Sequence, residues 1–239
     1  MRLWKALSSR VRFRSEFKAF VELAGPNPRF SVRWKDRYPC LYDRDNLAGF
    51  DRHYFFHLAW AARVLAESRP PVHVDISSHL QFCATVSAFV PFEFYEYHPP
   101  QAEIEGLTVN RANLLALPFE DISVMSLSCM HVVEHVGLGR YGDALDPDGD
   151  VKSMNELKRV LAEKGQLLFV VPVGQPRLHF NAHRIYAYDQ ILDCFSGLRL
   201  KEFALIPDDW RQGGLIRDAS REMANAQRYG CGCFLFTRE

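Results

Sequence analysis

Residues 166–173, QLLFVVPV, constrain the fold more than any other stretch of this chain. A strand with one face in water alternates apolar and polar positions. This run does not alternate, so it fits a strand covered on both faces, as in a parallel sheet flanked by helices. At eight residues it is far short of the roughly 20 needed to cross a bilayer. The segment before it, DVKSMNELKRVLAEKG, places Met154, Leu157, Val160 and Leu161 on one face of a predicted helix. Upstream of that, SVMSLSCM (123–130) reads as another strand.

The same alternation continues in both directions. VHVDI is a short β-rich run, HLQFCATVSAF a helix, FEFYEY a second strand and LTV a brief third. After the buried run come a helix in AYDQILDCF, a sixth strand in LRLKEFALI and a seventh in GCFLFT. Strands alternating with helices predict an α/β fold, a Rossmann-like doubly wound sheet. The last two strands, separated only by the polar insertion 208–230, suggest an antiparallel pair at one edge. RHYFFHLAWAARVLAES predicts a strong helix before the first strand, ended by RPP.

The N-terminal segment is different. Its first 37 residues hold ten Lys or Arg against three Asp or Glu. Leu3, Leu7, Val11, Phe13, Phe17, Phe20 and Val21 recur at roughly helical spacing until Gly25 and Pro26 stop the pattern. We expect a helical extension over 1–47 and the α/β domain over 48–239. The extension reads as a helix packed on the main domain, or as a basic amphipathic helix touching membrane phosphates.

Composition narrows the class. At 239 residues and 48% hydrophobic, the chain can bury a sizeable core. Zero formal net charge gives no reason to expect nucleic acid as a partner. Cysteines 40, 83, 129, 194, 231 and 233 include no Cys-x-x-Cys pair; their even count permits disulfides, but several, such as Cys129 and Cys233, read better as small buried residues in strands. With no secretory or membrane-spanning signal, a reducing cytoplasmic setting is expected.

HVVEHVGLGRYGD (131–143) contains His-x-x-Glu-His, the inverted zinc-peptidase pattern. That chemistry needs the two histidines on one helix face and a third ligand. Here His131 follows a strand directly, and Gly137, Gly139 and Gly142 break any long helix. No peptidase zinc is expected, although His179 and His183 in HFNAH, also four apart, leave a non-peptidase metal site open. His131, Glu134 and His135 should instead lie at the mouth of the fourth strand.

LPFEDISVMSLSCMHVVEHV…NELKRVLAEKGQLLFVVPV resembles the second half of class I S-adenosylmethionine-dependent methyltransferases. More narrowly, HVVEHVGLGRYGD together with FNAHR resembles the methyltransferase-like domain-of-unknown-function family 268. The resemblance implies a seven-stranded sheet in order 3-2-1-4-5-7-6, with strand 7 antiparallel. It also implies S-adenosylmethionine lying across the carboxyl ends of strands 1, 2 and 4, where open α/β sheets bind ligands.

Carried over residue by residue, the resemblance puts Asp75 at the acidic position of the first motif and Ser77 at a glycine position. His79 and Gln81 also stand where glycines are usual. Glu96 falls where a carboxylate accepts both ribose hydroxyls. Asn113 and Leu114 fall beside the adenine. Unassisted by the resemblance, Glu96 also fits a solvated acid at a strand end, and Asn113 a turn residue.

The implied activity is methyl transfer to a small or carbohydrate-like acceptor, with His131 or His135 as the base. Glu134, Arg140, Tyr141, Asp143, Asn181, His183 and Arg184 are the candidates for acceptor binding. Arg140 and Asp143 fit an internal pair of the turn equally well. Two other functions stay open: a non-catalytic descendant of the fold acting as a binding module, and a metal-dependent hydrolase.

Overall fold

A computed structural model describes residues 2–26, 31–41 and 50–239. The chain divides into two compact units, Met1–Phe50 and Asp51–Glu239. In the first, helix α1 (Arg2–Ala24) ends just before Gly25, which takes φ +67°. A short 3-10 turn follows at Trp34–Asp36. Phe17 meets Trp34 edge-on at 5.0 Å, and the Arg37 guanidinium lies over the same ring. The sequence RWKDRYPCLYDRDNLAGFD reads as an irregular connector with two close Asp–Arg pairs, and the second of them, at 43–45, lies outside the described residues.

The second unit begins with α2 (Arg52–Ser68), capped by the Asp51 carboxylate accepting from the Tyr54 backbone N–H. Then come β1 (His73–Ile76), α3 (Leu80–Val86), β2 (Phe92–Glu96), β3 (Leu107–Arg111) and β4 (Val124–Met130). Next are α4 (Gly149–Val160), β5 (Leu161–Val173), β6 (Arg177–His179), β7 (His183–Ile185) and α5 (Tyr188–Cys194). The last elements are β8 (Arg199–Ile206), β9 (Ile216–Arg217), α6 (Arg221–Asn225) and β10 (Gly230–Thr237).

The main sheet has the order β3-β2-β1-β4-β5-β10-β8-β9. Strands β3 to β5 pair in parallel, and β10 is antiparallel to both β5 and β8. This is the seven-stranded order expected from sequence, with β10 as the antiparallel seventh strand. The polar insertion adds an eighth, the two-residue β9 antiparallel to β8.

QLLFVVPV behaves as its pattern demands. Leu167, Phe169, Val171 and Val173 enter one buried cluster with Met154 and Leu157 of α4. Leu168 and Val170 enter the opposite cluster with Trp60 and Leu65 of α2. Burying each such side chain contributes about 1.5–3 kcal/mol, which makes this strand the spine of the domain.

Two elements differ from the sequence reading. The helix expected through Gly165 stops at Val160, and 161–165 already belong to β5. The carbonyls of Arg159 and Val160 accept from the Ile122 and Ser123 N–H groups, and the Arg238 guanidinium takes those of Lys158 and Leu161. With its last carbonyls satisfied, the helix has nothing to gain by continuing. The backbone of 164–165 pairs with Arg238 instead. The second difference is the hairpin β6–β7 in the segment after β5, which lacks the alternation of a strand and pairs over only three residues.

A polar seam crosses the sheet centre. His73 contacts the Ser126 and Ser128 hydroxyls at 2.7 and 2.8 Å, and Ser128 donates to Asp75. All four residues are buried. Burial holds the His73 imidazole down at about 3, so it stays neutral.

Candidate functional site

The chain leaves β4 in an abrupt turn. His131 takes φ +57°, while its N–H still donates to Val170 of β5. A 3-10 turn over Val133–His135 then brings Glu134 back beneath it. His131 Nδ1 donates to Glu134 Oε1 at 2.8 Å, and both side chains are nearly inaccessible. Glu134 Oε2 is buried without a partner among the described residues. His135 faces elsewhere: its Nδ1 donates to the Ala182 carbonyl at 2.6 Å, which leaves Nε2 as the basic nitrogen. The two histidines of His-x-x-Glu-His are thus not paired on one helix face, and the peptidase geometry is absent.

The glycine turn is held by Asp143. Its carboxylate accepts from the N–H groups of Gly137, Gly139 and Tyr141. A side chain at Gly137 would meet the Asp146 carbonyl at 2.0 Å, so only glycine fits there at φ +81°. Arg184, on β7, donates to the carbonyls of Val136 and Pro147 and lies 3.4 Å from Asp150. Asp143 therefore closes the glycine turn on itself, and Arg184 fastens the HVVEHVGLGRYGD turn to the FNAHR hairpin. Neither lines the pocket that results.

That pocket, of about 530 Å³, opens beyond the carboxyl ends of β4 and β5. His131, Glu134, His135, Arg140 and Tyr141 form one wall, with Asn181, Ala182 and His183 from the hairpin beside them. Arg140 donates to the Ala182 carbonyl at 3.1 Å, with its guanidinium 5.1 Å over the Tyr141 ring. His183 approaches His135 and Tyr229, and its Nε2 is buried and unpartnered among the described residues.

The opposite wall comes from residues the sequence reading passed over: Asp51, His53 and Tyr54 at the start of α2, and Tyr229 before β10. His53 stacks on Tyr229 at 4.9 Å, and Tyr54 lies against both His131 and His79. Burial, then the nearby His131, depresses the His53 imidazole to about 4, so it is neutral at physiological pH. His57, one turn along, is fully buried with its Nε2 unpartnered among the described residues. The available signal was the run DRHYFFH: three polar rings on an otherwise apolar helix start have no packing reason to be there.

The residues assigned to the cofactor form a second group along the same sheet edge. Asp75 is buried, its Oδ1 accepting from the Ser78 N–H and its Oδ2 from the Ser128 hydroxyl. Burial raises its carboxyl to about 6 against the pull of these bonds. Ser77 adopts φ +56°, the left-handed region that glycine enters most readily. Glu96 is half-buried at the end of β2, with Oε1 accepting from the Tyr97 N–H. Asn113 Oδ1 accepts from the Leu115 N–H in a tight turn, and Leu114 packs into the core. None of these residues lines the pocket.

Residues 121–203 match the family model described as Caenorhabditis protein of unknown function, DUF268. No curated protein sequence matches the chain. Among solved structures, the N-methyltransferase NodS of Bradyrhizobium japonicum, complexed with S-adenosylhomocysteine, superposes with a TM-score of 0.55 at 10% identity. That match covers 81% of this chain and 90% of NodS. The Burkholderia thailandensis 1,6-didemethyltoxoflavin-N1-methyltransferase gives 0.54 at 12% identity, over 77% and 79% of the two chains. The YcgJ protein of Bacillus subtilis gives 0.51 at 17%, over 77% and 98%. At such identities the likeness is one of fold. The chain is a methyltransferase-fold protein, and its residues 121–203 carry the DUF268 family match.

Proposed function

We propose that this protein is an S-adenosylmethionine-dependent methyltransferase acting on a small polar, carbohydrate-like acceptor. The observation that carries the reading is the polar pocket beyond β4 and β5. It is lined by side chains that follow β4 and β5, and two of its lining residues, Glu134 and His183, hold buried polar atoms without a partner among the described residues. An unpaired buried polar atom costs about 1–3 kcal/mol, so the orphaned Nε2 of His183 beside the pocket favours a polar, hydroxyl-bearing ligand there.

The residues present fit the cofactor. The left-handed backbone at Ser77 preserves the first turn without its glycine, and Glu96 ends β2 with a carboxylate suited to two ribose hydroxyls. Asp75 would support this turn through the Ser78 N–H rather than touch the ligand, since hydrogen bonds engage both its oxygens. Asn113 and Leu114 would flank the base. When bound, S-adenosylmethionine supplies an activated methyl group.

The protein's own part is positioning and proton removal. Arg140, Tyr141, Asn181 and His183 would orient the acceptor. His135 Nε2 would take the hydroxyl proton, because Nδ1 is committed to Ala182 and Glu134 Oε1 stands 3.9 Å from Nε2 to stabilise the imidazolium. His131 is the weaker base candidate, as its Nε2 faces the Cys231 sulfur at 3.4 Å.

A second reading, a non-catalytic binding module, draws on the first motif. Asp75 is sealed in the core, and His79 and Gln81 replace glycines. Titration with S-adenosylhomocysteine separates the two, because only the methyltransferase reading requires binding that weakens when Glu96 is removed.

A further inference from the structure

Three ligating side chains from distant parts of the sequence converge beside the pocket. His53 comes from the first turn of α2, His131 follows β4, and Cys231 lies at the start of β10. One donor atom from each lies within 4.8 Å of the other two. Cys231 Sγ is 3.4 Å from His131 Nε2. A nitrogen and a sulfur bound to one tetrahedral zinc sit about 3.6 Å apart, so this pair already has the spacing of a coordination edge.

The donors are also oriented from behind. Glu134 Oε1 accepts from His131 Nδ1, which leaves the Nε2 lone pair directed at the sulfur. Metal-ligating imidazoles are commonly held as His131 is, with the second nitrogen bonded to a carboxylate. The His53 ring is held by stacking on Tyr229 at 4.9 Å. A further observation points to a ligand here: Glu134 is 1% exposed, and its Oε2 has no partner among the described residues. A nearby cation would offset that uncompensated oxygen.

We propose that His53, His131 and Cys231 bind one zinc-type divalent cation whose fourth position opens into the pocket. Two imidazoles and a thiolate suit a borderline-soft metal. Three protein ligands with an open position are the arrangement of a reactive rather than a structural zinc. The fourth position takes a water or an acceptor oxygen from the pocket, which His53 and His131 both line. Binding displaces the Cys231 thiol proton to solvent, as thiolate coordination requires. The rival chemistry for these atoms is a Cys231–His131–Glu134 nucleophilic triad. Cys231 is 0% exposed and does not line the pocket, so its sulfur cannot meet an acceptor.

The test uses the full-length chain and reads metal rather than turnover. After loading with zinc and dialysis, elemental analysis is expected to give about one zinc per chain, with bound metal stabilising the fold against heat. Stoichiometric cobalt should produce a thiolate-to-metal charge-transfer band in the wild type. Cys231→Ser should abolish the band, and His53→Ala should leave the metal removable by dialysis, with circular dichroism confirming both folds. Glu134→Gln should weaken zinc binding by about 10–100-fold. Cys40→Ser, at an exposed thiol, should change nothing. Absence of the cobalt band in the wild type overturns the proposal whatever the variants do. So does zinc retention in both ligand variants, or rapid Cys231 alkylation by iodoacetamide in the zinc-loaded protein.

Discussion

His131 Nδ1 lies 2.8 Å from Glu134 Oε1, and this buried pair fixes where both histidines of the motif point. The 3-10 turn between them is too tight for an α-helical register, so His131 turns toward Cys231 while His135 turns toward the hairpin. Glu134→Leu leaves His131 Nδ1 buried without an acceptor. Urea denaturation should show a loss of about 1–3 kcal/mol, whereas Glu134→Gln, which keeps an acceptor oxygen, should lose less. Equal losses in the two variants would mean that the hydrogen bond does not organise the turn.

His135 and Arg184 should separate activity from stability. His135→Ala removes the proposed base and should lower methyl transfer by about 10²–10⁴-fold. Its stability should change by less than about 1.5 kcal/mol. Arg184→Ala removes bonds that join the hairpin to the glycine turn, so its main effect should be a destabilisation of about 1.5–3 kcal/mol. A stable, inactive Arg184→Ala protein would instead make Arg184 a direct acceptor ligand.

Asp75 gives a pH signature. Burial lifts its carboxyl from 3.8 to about 6, so between these values the folded state binds more protons than the unfolded state. Its contribution therefore falls as pH rises through that window, by roughly 2–3 kcal/mol in all. His53 and His73, depressed to about 4 and about 3, act oppositely as pH falls below 6.5. The measurement is thus a difference: stability of Asp75→Asn minus wild type should rise with pH between about 4 and 6. A flat difference would show that Asp75 titrates normally in the folded protein.

The strand–helix alternation and the burial of QLLFVVPV on both faces were legible in the residue pattern, because a strand covered by helices on both sides has no polar face. The order of the sheet, with GCFLFT antiparallel beside QLLFVVPV, was implied by the methyltransferase resemblance rather than by any strand's own pattern. The end of α4 was not legible, since the groups that stop it come from residues 122, 123 and 238. Within the site, the turn and hairpin residues carried their own local signatures. His53 and Tyr54 were marked only by the polar rings of DRHYFFH, and Tyr229 and Cys231 by nothing local, because only the fold brings positions 53, 131 and 231 together. The expectation of no metal rested on the glycine-broken turn and the want of a nearby third ligand, whereas the cation site proposed above draws its three ligands from elements far apart in sequence. Asp143 and Arg184 were legible as functional types, but their backbone contacts turn them into fasteners.

Phe169 tests the spine of the sheet. It is fully buried against Phe195, and Phe169→Ala should cost about 3–5 kcal/mol by thermal or urea unfolding. A loss below about 1 kcal/mol would mean that the β5 core collapses around the cavity.

The central claim is tested most directly by calorimetric titration of the full-length protein with S-adenosylhomocysteine, alongside Glu96→Ala. The account predicts micromolar binding to the wild type, weakened in Glu96→Ala by about 1.5–3 kcal/mol, the value of hydrogen bonds to a charged group. No heat and no thermal shift at millimolar ligand, or binding untouched by Glu96→Ala, would contradict it.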